Sequence, residues 1–204
     1  WLTLQNENIE VSFSSVRRIV RRYRLQNVRL YGKKYWAKNN PKRPLANAPG
    51  ELVEVDTVYL MNHFGGQNLY ITNVIDVYTR MTHSRVDYAY SQTSTAQTVL
   101  EAQKIFNFKF KMVQCDNGRE FGERFKMILN KNDIQIRHTR VRRPNDNAHI
   151  ERFNRTMRDE LIGPYTGRSL EEVSKSIREY LIYYNYARIH TTLRMTPIQM
   201  LQRC

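Results

Sequence analysis

The chain has 204 residues, 33 Lys+Arg against 19 Asp+Glu, a formal net charge of +14 and 41% hydrophobic residues. That length buries one sizeable core with a small module beside it, and 25% charged with 11% aromatic residues excludes a disordered polymer or a fibre. No apolar run approaches the roughly 18 residues of a membrane span and the N-terminus lacks a secretion signal, so a soluble, intracellular type of protein is expected. Two cysteines, Cys115 and Cys204, exclude a disulfide framework and a Cys-rich zinc finger.

The charge is uneven, +9 over residues 1–50 and +5 over residues 51–204. A polyanion grip beside a working domain is the expectation, against a basic tail that only maintains solubility. Between Ser14 and Tyr23, Val16, Ile19, Val20 and Tyr23 recur at helical spacing while Arg17, Arg18, Arg21, Arg22 and Arg24 take the other faces. Ser14 or Ser15 is positioned to cap such a helix. The pattern suits the second helix of a helix-turn-helix lying in the DNA major groove, and equally a solvated charged helix. Residues 37–50 (AKNNPKRPLANAPG) read as an extended basic linker.

From Glu51 the texture becomes β-rich. Leu52 to Leu60 reads as a strand, Gly65-Gly66 as a turn, and Leu69 to Tyr78 as its hairpin partner. A third strand is expected near Thr82 to Tyr88, then a helix over Thr95 to Phe106, a strand over Lys111 to Cys115, a helix over Glu120 to Leu129 and a strand over Ile134 to His138. Three consecutive strands followed by alternation with helices predict an α/β layer architecture, a mixed five-stranded sheet flanked by helices. Two long helices follow. One runs from about Asn145 to Leu161 with Ile150, Phe153, Met157 and Leu161 inward; the other opens on Ser169 and Glu172 at capping-box spacing and turns Leu170, Val173, Ile177, Leu181 and Tyr184 inward. Thr196-Pro197 starts a short last helix. The expected organisation is a partial helix-turn-helix over 1–36, a linker over 37–50, a core over 51–165 and a helical extension over 166–204.

Three acids stand out. Asp56 interrupts a run of β-formers, where a solvent-facing edge position is the plain alternative. Asp116 follows the apolar strand MVQC and opens Asp-Asn-Gly, itself a common turn. Glu151 lies at the margin of a helical apolar stripe, on a polar ridge with Asn147, Asn154 and Arg158, where an ordinary exposed glutamate is the alternative. Together they can converge at the carboxyl edge of one sheet, where three carboxylates without matching cations repel one another and hard divalent cations relieve them. Mg²⁺ is the expected cofactor, and two ions roughly 3.5–4 Å apart suit in-line phosphoryl displacement.

Asp56 in ELVEVDTVYL, Asp116 in QCDNGREF and Glu151 in RRPNDNAHIERFNRTMRDEL resemble the acidic triad of the retroviral-integrase-like DDE transposases of bacterial insertion sequences. The ending YYNYARIHTTLRMTPIQM is similar to the ending of those transposases. The resemblance spans about residues 12–201, with an Asp116 to Glu151 interval one residue shorter than the family's usual one. It implies a ribonuclease-H-like core, with Asp56, Asp116 and Glu151 holding two Mg²⁺ ions, for which Mn²⁺ substitutes. It further implies that water first frees a 3′-hydroxyl at an element end, and that this hydroxyl then attacks target DNA. Asn117, Gly118 and Phe121 match the segment after the second Asp, and Asn147, Arg152 and Asn154 the segment around the Glu; they are expected to shape the site or contact DNA.

DNA contacts are further expected from Arg142 and Arg143 before the Glu-bearing helix and from Arg155 and Arg158 with Arg152 on it, a solvated charged face being the alternative. Tyr180, Tyr183, Tyr184 and Tyr186 are read as core packing rather than base stacking. The implied partners are double-stranded DNA, as element ends and target, and further copies of the chain on it; the implied place is the bacterial cytoplasm, at the nucleoid. The other readings are a ribonuclease-H-type nuclease and a transposase-derived DNA-binding protein without activity.

Overall fold

The structure is a computed structural model and describes residues 1–23, 45–64, 67–139, 144–162 and 169–204. The expectations for Arg24, Gly65-Gly66, Arg142, Arg143 and most of the 37–50 linker lie outside those residues.

Two short helices open the chain, α1 (Leu2–Asn6) and α2 (Phe13–Arg22). The cap of α2 is Ser12 rather than Ser14 or Ser15: its side chain accepts the Ser15 amide at 3.0 Å. Trp1 stacks edge-on against Phe13 with ring centroids 5.7 Å apart. No residue of α2 is buried, and Arg17, Arg18, Arg21 and Arg22 are all exposed. The apolar stripe exists in the sequence but does not enter a core here.

A five-stranded sheet follows in the order β3-β2-β1-β4-β5, built from β1 (Val53–Phe64), β2 (Gln67–Asp76), β3 (Thr82–Asp87), β4 (Met112–Cys115) and β5 (Gln135–His138). The first three strands are antiparallel, whereas β1, β4 and β5 run parallel through helical crossovers. Gly50 sits at the entry to β1 with φ +75°, and a Cβ there would lie 2.0 Å from the Lys109 carbonyl oxygen. Its amide donates to buried Asp76, which also accepts from the Thr79 amide and hydroxyl.

Side-chain alternation divides β1 between two layers. Val53 and Val55 pack with Val74, Val113 and Cys115 beneath α3 (Gln92–Phe106) and α4 (Glu123–Asn130), through Val99, Phe106, Phe125 and Leu129. Val58 and Leu60 face the opposite layer, where Ile150, Phe153 and Met157 of α5 (Ala148–Met157) meet Val173, Ile177 and Leu181 of α6 (Leu170–Ile182). The helix expected over Glu120 to Leu129 is divided: Arg119–Phe121 form a 3₁₀ turn, extended Gly122 interrupts, and α4 starts afterwards. The helix expected to begin at Asn145 is also composite, with a 3₁₀ turn over Pro144–Asn147, then α5, then one wide turn over Arg158–Ile162.

The C-terminal clasp is polar. The Ser169–Glu172 capping box starts α6, which continues as a wide turn over Tyr183–Ala187. Buried Asn185 accepts the Thr82 amide at 2.9 Å and donates to the Thr82 carbonyl at 2.8 Å, closing onto the sheet edge. Tyr184 meets His190 at 2.8 Å, and Arg188 pairs with Glu160 at 3.0 Å. Tyr180 and Tyr184 are core residues, while Tyr183 and Tyr186 are exposed. Thr196 caps α7 (Pro197–Leu201), with Pro197 at its first turn.

Candidate active site

The site starts from the β1–β4 register. These strands run parallel with Glu54 opposite Gln114, so two residues further along lie Asp56 on β1 and Asp116 just past the end of β4. Asp56 is half-buried and Asp116 exposed. Burial, followed by the negative charge of Asp116, pushes the Asp56 carboxyl up to about 7; Glu120 adds to this, and hydrogen bonds from Thr57 and Asn154 oppose it. Two acids at one sheet edge therefore compete for ionisation.

Asn154 fixes Asp56 in place. Its Nδ2 donates to Asp56 Oδ2 at 2.6 Å while its Oδ1 accepts from Asn73 Nδ2 at 2.8 Å. Asn73 is the antiparallel partner of Asp56 on β2, so all three side chains meet on the α5 side of the sheet. Glu151 stands one helical turn before Asn154, on the first turn of α5 and exposed. Among the described residues, no group of three or more His, Cys, Asp or Glu side chains is gathered closely enough to hold a metal ion.

A buried network below the carboxylates sets where α5 begins. Glu54 shares a strand face with Asp56 and is fully buried. Its Oε2 accepts the amides of His149 at 3.0 Å and Ile150 at 2.9 Å, and its Oε1 lies 3.2 Å from His149 Nδ1. A carboxylate at a helix N-terminus satisfies amides that have no partner within the helix and complements the helix dipole. Gln114 supports the preceding turn, donating to the Asp146 carbonyl and to Asn147 Oδ1 at 3.1 Å, while its own Oε1 accepts from Arg137. Asn147 is thus a buried support of this turn. His149 is half-buried against Glu54.

The Asp-Asn-Gly segment is a tight turn. The Gly118 amide donates to Asp116 Oδ1 at 2.7 Å, Asn117 Nδ2 reaches the Thr139 carbonyl at 3.4 Å, and the Asp116 carbonyl contacts His138 Nδ1 at 2.8 Å. A Cβ on Gly118 would come within 2.6 Å of Glu120 Oε2 and 2.9 Å of Asp116 Oδ1, so a side chain there would push these carboxylates aside. Burial, then the Asp116 charge, raises the Glu120 carboxyl as well. Of the expected DNA contacts near the site, Arg152 and Arg158 are exposed and Arg155 is half-buried.

Sequence reasoning missed Glu54, Asn73, Gln114 and Glu120. Glu54 carried a usable signal, since it breaks the same β-run as Asp56 at a spacing of two.

This topology, with a carboxylate on the central strand and another at the end of its parallel neighbour, is that of a ribonuclease-H-like integrase core. It superposes on the HTLV-2 integrase catalytic core domain in complex with magnesium with a TM-score of 0.61, at 14% identity over 76% of this chain and 99% of that one. A chain of the simian T-cell lymphotropic virus intasome in complex with PP2A regulatory subunit B56 gamma gives 0.66, at 14% identity over 80% of this chain and 61% of that one. Two family models described as integrase core domain match residues 46–144 and 132–197. The ORF3 protein of Spiroplasma virus SpV1-C74, named as an integrase, is 24% identical over 74% of this chain and 47% of its own length. The InsK protein of insertion sequence element IS150 of Escherichia coli K12, named as a transposase, is 26% identical over 66% of this chain and 49% of its own. The chain belongs to the integrase core domain family. It spans about half the length of these two relatives.

Proposed function

We propose that the protein is a DNA transposase that cuts element ends and joins them to target DNA by phosphoryl transfer, with Asp56, Asp116 and Glu151 as its catalytic carboxylates. The observation that carries this reading is the juxtaposition of Asp56, within β1, and Asp116, just past the end of its parallel neighbour β4, with Asp56 raised to about 7 by burial and by a like charge. A divalent cation relieves such repulsion, so the donor set fits Mg²⁺, or Mn²⁺ in its place. Two Mg²⁺ ions held by these three carboxylates would supply activation of the attacking oxygen and stabilisation of the leaving one. The magnesium complex of the HTLV-2 core supports that assignment.

The chain's own residues have separable roles. Asn154 and Asn73 orient Asp56, Glu54 and Gln114 hold the start of the Glu151 helix, and Gly118 lets the turn close against Asp116. Residues 1–36, with exposed Arg17, Arg18, Arg21 and Arg22, form the DNA grip, joined by the 37–50 linker to a core over 51–165 and an extension over 166–204. Arg142, Arg143, Arg152, Arg155 and Arg158 neutralise strand phosphates near the carboxylates, which makes binding salt-sensitive. The working form is a homo-multimer on double-stranded DNA in the bacterial cytoplasm, at the nucleoid; no described helix is long and apolar enough to cross a membrane.

The test uses labelled duplexes taken from the DNA flanking the gene, incubated with supercoiled plasmid, MgCl₂ and the full chain. Label should become covalently joined to plasmid with the parent and not with Asp116→Asn. Equal joining by both proteins would overturn the carboxylate assignment. Cutting of an RNA–DNA hybrid in preference to these duplexes would favour a ribonuclease-H-type nuclease.

A further inference from the structure

Across the sheet from Asp56, at the same end and with Glu120 in its lining, lies a groove that the proposed chemistry does not use. It is an open hollow of about 340 Å³ lined by Thr57, Tyr59, Tyr70, Tyr90 and Glu120, a size that holds small organic groups. We infer that this groove is a stacking site for one unpaired nucleobase of the strand that occupies the carboxylate site. The inference rests on the nucleic-acid reading given under Proposed function.

Alternation places the groove on the α3 side of the sheet. Val53 and Val55 are covered by that layer, but further along the same face Tyr59 is 44% exposed, and Tyr90, in the connection before α3, is 40% exposed. Tyr59 and Tyr70 are direct cross-strand partners, with ring centroids 5.1 Å apart and planes tilted by 32°. Tyr70 and Tyr90 stand 4.8 Å apart at 57°. Three adjoining aromatic rings thus border an open space rather than filling a core.

Charge decides which part of a nucleotide the groove suits. Among the described residues its lining holds four hydroxyls and the Glu120 carboxylate, with no Lys or Arg. That sign repels a phosphate, whereas rings and hydroxyls suit the face and edges of a base. The backbone is attracted by the rest of a chain that carries +14.

Continuity with the carboxylates links the groove to the strand being processed. Thr57 follows Asp56 on β1, and the Glu120 charge acts on Asp56 itself. Asp56 faces the α5 side and the groove opens on the α3 side, with Glu120, which lines the groove and acts on both Asp56 and Asp116, at the edge between them. A strand whose phosphate reaches these carboxylates would bring a frayed base to the rings around that edge, past the end of β4. A cross-strand tyrosine pair can also serve hairpin stability alone, and the two roles separate by experiment.

The full chain is titrated in metal-free buffer, so that no strand is cut, with fluorescein-labelled single-stranded oligo(dA) and with an abasic chain of the same length. Stacking predicts that oligo(dA) binds about five- to a hundredfold more tightly than the abasic chain and quenches tyrosine fluorescence. Tyr59→Leu and Tyr90→Leu should lose most of that difference while keeping the parent's affinity for the abasic chain. Tyr59→Phe and Tyr90→Phe, which keep the rings, should retain it, with melting temperatures as the control for folding. Equal affinity of the parent for both probes would overturn the inference, as would Leu variants that only melt earlier. If the parent joins DNA strands yet binds both probes equally, the stacking site falls and the transposase reading stands. If neither probe binds, the stacking site falls, and the strand-joining assay alone decides the transposase reading.

Discussion

The two faces of the sheet are made by alternate residues of the same strands, yet they are held by different physics. On the α3 and α4 side, Val53, Val55, Val74, Val113, Phe106, Phe125 and Leu129 form an apolar layer whose cohesion is burial and close packing. On the α5 and α6 side, apolar contacts are interrupted by Glu54, Asp56, Asn73, Gln114 and Asn154, which are buried or half-buried and tied to one another or to backbone. One face is held together by apolar packing. The other spends buried polar groups to aim a carboxylate.

Substitutions on each face sharpen that contrast. The largest effect is expected for Phe125→Ala on the apolar face, about 3–5 kcal/mol of stability by urea titration, with the Asp56 titration near pH 7 unchanged. Glu54→Ala should cost about 2–4 kcal/mol, because two amides at the start of α5 lose their acceptor in a buried setting. At a temperature where that variant stays folded, strand joining should fall far more than stability accounts for. If joining tracks the folded fraction alone, Glu54 does not aim α5.

Asp56→Asn should act in the opposite direction. The Asp56 carboxyl is raised in the folded chain from 3.8 to about 7, so between those values the folded state binds more protons than the unfolded one. Stability then falls as pH rises from about 4 to 7 and stays low above. Removing the charge should stabilise the metal-free protein by about 2 kcal/mol at pH 8, after discounting for partial exposure, and by little at pH 4. Thermal melts at the two pH values check this, and a stabilisation independent of pH would contradict it. Mg²⁺ should raise the parent's melting temperature at pH 8 and leave that of Asp56→Asn nearly unmoved. The smallest effect is expected for Asn154→Leu, about 1–2 kcal/mol. By removing a donor to Asp56 it should move that carboxyl further upward, which NMR titration would detect.

Several site features were legible in the sequence because they break local rules. Asp56 stands in a run of β-formers and Asp116 ends an apolar strand, both visible without coordinates. Glu54 breaks the same rule, but its partners are amides about a hundred residues away, and no local pattern announces them. Glu120 read as a helix start, whereas Gly122 delays α4 and leaves Glu120 in a 3₁₀ turn that faces Thr57 and Asp116. The ending around Tyr184 and Asn185 was recognisable by resemblance, and its physical work is a clasp onto Thr82 at the sheet edge.

The sequence by itself determined the strand and helix order, the two-sided alternation of β1, the capping boxes and the residue types able to carry phosphoryl chemistry. Those follow from periodicity and from polar groups placed where burial is costly, which are local properties of a chain. Tertiary structure alone decided which carboxylates meet, that Asn154 steadies Asp56, and that three tyrosines from β1, β2 and the start of the α3 layer share one open groove. Parallel pairing of β1 with β4 and the docking of α5 bring together residues up to about a hundred positions apart, and the free energy of such meetings depends on burial and mutual charge.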